Sequence, residues 1–173
     1  FRSVVEIMAV FYLILIWRNR NYLPSKHILL TIFALFTLVF TISMFISTNP
    51  YLSFWGSLER MGGLWSFLHY LVYFIILISV FRVREDWLRL LKLVIFVGVL
   101  SALYGFGQKT DIKFFIGSGN RAKIFGTIGN AALFAGYQIV TSFLALALAA
   151  SSWVPPKQKG YLYLAAVLGI VAV

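Results

Sequence analysis

Long apolar runs alternate with short polar connections along the chain. Val4 to Trp17 is apolar apart from Glu6, Ile28 to Ile46 carries no charge, and Leu64 to Phe81 contains a single histidine, His69. Further runs cover Trp87 to Phe106 and Ala131 to Trp153, and a last one follows Pro155-Pro156-Lys157. Each approaches the ~20 residues with which an apolar helix crosses a bilayer, and no short alternating segments of a membrane barrel are present. The pattern predicts an all-α protein, a polytopic transmembrane helical bundle of about six spans in one domain over residues 1–173. The first and last spans read as truncated, so the chain is expected to be a fragment of a longer polytopic protein.

Composition agrees with the pattern: 61% of residues are hydrophobic, 12% are charged and the mean hydropathy is +0.92, which excludes an ordinary water-soluble domain. The absence of cysteine excludes disulfides, thiolate nucleophiles and cysteine metal sites within this sequence. The formal net charge of +10 adds a question of placement. Arg18, Arg20, Lys26, Arg82, Arg84, Arg89, Lys92, Lys157 and Lys159 fall on the face of the first, third and fifth connections. Arg60, Lys109, Lys113, Arg121 and Lys123 fall on the other. The positive-inside rule therefore puts the short connections in the cytoplasm and loops 47–63 and 107–130 outside. Cations on the face that insertion disfavours call for an anionic partner, whether lipid headgroups or a bound phosphate.

The two outer loops hold the candidate chemistry. Ser47 to His69 contains the turn-forming pair Asn49-Pro50, tryptophans suited to headgroup depth, and Glu59-Arg60 just before the third apolar run. The Arg60 guanidinium has the bidentate geometry for phosphate oxygens. Gly117 to Asn130 is glycine-rich and carries Arg121 and Lys123, and Asn130 is placed to cap the next helix, whose amino end carries partial positive charge. Arg60, Arg121, Lys123 and Asn130 are thus the candidate substrate-binding residues. Ala131, Ala132, Ala135 and Gly136 form a small-residue stripe that reads as a packing face. His69, beside Tyr70 and Tyr73, reads as a polar layer that bonds a neighbouring helix. No paired carboxylates, histidine cluster or triad is present, so no residue is assigned a catalytic role and no metal site or cofactor is expected.

The stretches STNPYLSFWGSLERMGGLW and RAKIFGTIGNAALFAGY resemble two signatures of the O-antigen ligase and O-antigen polymerase family of bacterial membrane proteins, across roughly residues 40 to 140. Where family members often have Asn-Pro, this chain has Asn130-Ala131. The resemblance implies a multi-pass protein of the bacterial cytoplasmic membrane, a metal-independent glycosyltransferase. Its donor would be a glycan on undecaprenyl pyrophosphate, and its acceptor a glycan, lipid or protein at the outer face. It also implies basic residues on the pyrophosphate and a large external loop, later in such proteins, that activates the acceptor. Membrane lipids are expected neighbours and nucleic acid is not. A transporter or flippase of lipid-linked saccharides would need the same external cations but predicts internal repeats, and none is evident. A membrane scaffold would leave those cations without a ligand.

Overall fold

The computed structural model describes residues 1–24, 27–57, 61–110, 112–115 and 123–173. Among these residues it contains α-helices and one 3-10 turn, and no strand: α1 (Arg2–Arg18), the turn Arg20–Tyr22, α2 (Ile28–Ile46), α3 (Pro50–Trp55), α4 (Leu64–Val80), α5 (Arg84–Gly107), α6 (Ala131–Ala150) and α7 (Pro156–Val171). The all-α expectation holds, and α2, α4 and α6 start where the apolar runs start. Among the described residues three helices, α2, α5 and α6, are long and apolar enough to cross a membrane, fewer than the expected six. The shortfall has local causes. α4 is apolar but has only 17 residues, α1 carries Arg2 and Glu6, and the first turn of α7 is polar, so its apolar part begins only at Tyr161. At 1.5 Å per residue such helices reach about 25 Å, against a hydrocarbon layer of about 30 Å.

The chain forms two units, Phe1–Val83 and Arg84–Val173. In the first, α4 is central. α1 runs parallel to it, joined by Arg2 to Ser66 and Glu6 to His69 near their starts. α2 runs antiparallel, with Phe33 against Phe74 and Phe40 against Phe67 at ring-centroid separations of 5.7 and 4.8 Å. Arg82 ties down the opposite end: it donates to the carbonyls of Ser79 and Asn21 and lies over the Tyr22 ring.

In the second unit, α6 packs antiparallel to both α5 and α7 around a core of Ile95, Ala145, Leu148, Ala149, Leu162 and Ala166. Small residues set the close approach: a Cβ at Gly98 would meet Thr141, and one at Gly169 would meet the Ser142 hydroxyl. The stripe expected to pack lies elsewhere on α6. Ala132 and Gly136 are exposed, and a Cβ at Gly136 meets nothing within 4 Å; the buried face is instead Phe134, Gln138, Thr141, Ser142, Ala145, Leu148 and Ala149. Ala132 and Gly136 do share one side of the helix, but each stands two positions, about 200°, round from Phe134, so their side is turned away from the packed one.

Outward surfaces are apolar. On α2, Ile28, Ile32, Val39 and Phe45 are each more than half exposed, and Thr37 is the helix's one buried residue. Apolar area on that scale is not left in water by a folded protein, and hydrocarbon is the solvent it suits.

Candidate functional site

In the first unit, the stretch after α2 folds into a compact cap over the start of α4. Asn49 accepts the Leu52 N–H at 3.0 Å and Pro50 occupies the first helical turn, so the pair that marks a turn in sequence opens the short helix α3. Ser53 Oγ donates to Ser47 Oγ at 2.7 Å. α3 ends at Gly56 with φ +80°, where a Cβ would come within 2.6 Å of the Gly63 nitrogen; glycine alone allows this backbone crossing. Phe54 and Trp55 then stack against Trp65, whose ring lies 4.7 Å from that of His69.

Beneath this cap α1 and α4 share a polar ladder. Arg2 Nη2 donates to the Met61 carbonyl at 2.7 Å and to Ser66 Oγ at 2.6 Å, and Ser66 Oγ donates to the same carbonyl. Met61 is held at φ +47°, the one left-handed non-glycine among the described residues, and it adjoins Arg60 in sequence. Arg2 and Ser66 border a cavity of about 600 Å³ with Phe1, Phe67 and Tyr70. One turn further along, His69 Nδ1 lies 2.7 Å from the Trp65 carbonyl and Nε2 lies 3.1 Å from Glu6 Oε1. A carbonyl only accepts, so Nδ1 carries hydrogen. The second contact is then a hydrogen bond only with a further proton, on Nε2 or on the carboxyl.

In the second unit, Gln108 organises the chain that leads into α6. It is 1% exposed. Its Oε1 accepts the N–H groups of Gly126 at 2.9 Å and Phe125 at 3.3 Å, while Nε2 donates to the Gly126 carbonyl. Gly126, at φ +57°, lies under the Phe134 ring, where a Cβ would clash. Asn130 Oδ1 accepts the N–H groups of Ala132 and Leu133 at 2.9 and 3.2 Å, so its side chain serves as the helix cap. Lys123 is exposed and, with Lys109, lines a cavity of about 280 Å³ bounded by Ile124, Ala131, Phe134 and Val171.

Of the four residues singled out in sequence, Lys123 and Asn130 therefore lie together beside the start of α6, whereas Arg60 and Arg121 lie outside the described residues. Sequence reasoning missed Arg2, Ser66, Gln108 and the pairing of Glu6 with His69. Both members of that pair were visible as polar exceptions in apolar runs; the parallel alignment of α1 and α4 that joins them was not. Comparison with protein-family models, with curated proteins and with solved structures finds no match.

Proposed function

We propose that the chain forms the donor-binding part of a membrane glycosyltransferase of the O-antigen ligase or polymerase type. It would transfer a glycan from undecaprenyl pyrophosphate to a glycan, lipid or protein acceptor at the outer face of a bacterial cytoplasmic membrane. In this reading α1, α4 and α7 complete six spans, and loops 47–63 and 107–130 face outward. The observation that carries it is the convergence of Lys109 and Lys123 on one cavity at the amino end of α6. The partial positive charge of that helix end adds to theirs. Attack of an acceptor hydroxyl on the anomeric carbon breaks the bond to pyrophosphate and builds negative charge on the leaving group. Cations already fixed in a low-dielectric site stabilise that charge most where it develops. Arg60 and Arg121 are the further candidates for the pyrophosphate, and Asn130 holds the helix start that positions Lys123.

The test reconstitutes the protein in proteoliposomes with labelled undecaprenyl pyrophosphate glycan and an added acceptor. Transfer of label to acceptor is expected, with turnover reduced about tenfold or more in Lys123→Gln and Arg121→Ala variants that insert normally. Movement of the label across the bilayer with its pyrophosphate bond intact would replace this reading with transport of lipid-linked saccharide.

A further inference from the structure

A second lipid-facing feature lies between α5 and α7. The two helices run side by side in the same direction. Lys92 Nζ donates to Gln158 Oε1 at 2.7 Å near their amino ends, and Ala102 and Ala172 share a buried cluster near their carboxyl ends. Between them lies an open groove of about 200 Å³ whose walls are Ile95, Phe96, Val99, Leu164 and Leu168. Lys92 and Tyr161 are its polar residues, and both belong to the amino-terminal end. Val99 and Leu168 lie seven residues further along their helices, about 10 Å at the helical rise.

The polar end is rich in cations. Arg84, Lys157 and Lys159 occupy the first turns of the same two helices and Arg89 the second turn of α5, against the acids Glu85 and Asp86. Arg84 is engaged with the Ser152 carbonyl at 2.9 Å and the Trp153 ring at 5.3 Å, and Arg89 faces Asp86 at 3.8 Å. Lys92 spends one of its three ammonium hydrogens on Gln158, so two remain.

We propose that this groove seats an acyl chain of an anionic phospholipid, with the phosphate on Lys92 and Tyr161. The walls offer a narrow apolar track that an acyl chain fits and a helix about 10 Å across does not. A lysine and a tyrosine at the end of such a track match the depth at which a lipid changes from hydrocarbon to headgroup. The surrounding cations favour a headgroup with net negative charge over a zwitterionic one.

The test incorporates the full chain into nanodiscs with phosphatidylglycerol or phosphatidylcholine bearing a diazirine on the acyl chain, and maps the crosslinked residues by mass spectrometry. Phosphatidylglycerol is expected to label Phe96, Val99, Leu164 and Leu168 more densely than the exposed face of α2. Lys92→Gln should reduce that labelling about fivefold, while Lys113→Gln leaves it unchanged. Val99→Trp, which fills the groove and keeps Lys92, should abolish labelling of Leu168. Equal labelling by phosphatidylcholine, label no denser than on α2, or no effect of Lys92→Gln in a protein that still inserts would each overturn the proposal.

Discussion

Glu6 and His69 show how much one pairing can change the meaning of two residues. His69 is nearly buried, and its two ring nitrogens face a carbonyl and a carboxyl oxygen. Glu6→Ala removes the partner of Nε2 and leaves a ring nitrogen without a hydrogen bond in an apolar setting, a loss of about 1–3 kcal/mol. Glu6→Gln keeps an amide that can donate to or accept from Nε2, so it should stay near the wild type. Unfolding of the detergent-solubilised protein, followed by tryptophan fluorescence of the Trp65 cluster, separates the two outcomes. Equal loss in both variants would show that the charge itself, rather than the hydrogen bond, matters. The residue types were legible in sequence, but their meeting depends on a contact between positions 63 apart.

At the scale of the element, α6 separates small residues that pack from small residues that merely occur. Gly169 of α7 lies against Ser142 and Gln138 of α6, whereas Gly136 has open space where a side chain would begin. Gly169→Leu should therefore force α6 and α7 apart and destabilise the second unit by about 1–3 kcal/mol. Gly136→Leu should be tolerated or slightly stabilising, because leucine is the better helix former. A denaturant titration monitored by circular dichroism checks both; equal sensitivity at the two glycines would contradict this packing. Helix starts were readable because caps are local. Asn49 and Asn130 satisfy amides two or three residues away, and that needs nothing from the rest of the chain.

For the whole molecule, the absence of cysteine becomes an experimental advantage. Single Lys113→Cys and Lys157→Cys variants in sealed vesicles should react with a membrane-impermeant maleimide from opposite sides if loop 107–130 is external and the connection before α7 is cytoplasmic. Labelling of both from one side would remove a span between them and with it the six-span topology. The shorter helices α1, α4 and α7 would cross the bilayer only with local thinning, at a cost of fractions of a kcal/mol per Å of mismatch.

The sequence by itself determined the helical class, the boundaries of α2 and the start of α6, because apolar run length and capping residues act over a few positions. It also placed the cations along the chain. Only the tertiary structure decided that Gln108 holds the backbone of Phe125 and Gly126, that Glu6 meets His69, and that α5 and α7 enclose a groove. Each of these depends on which helix faces lie together. In a chain apolar on nearly every face, hydropathy does not select a face, and close packing around small residues does.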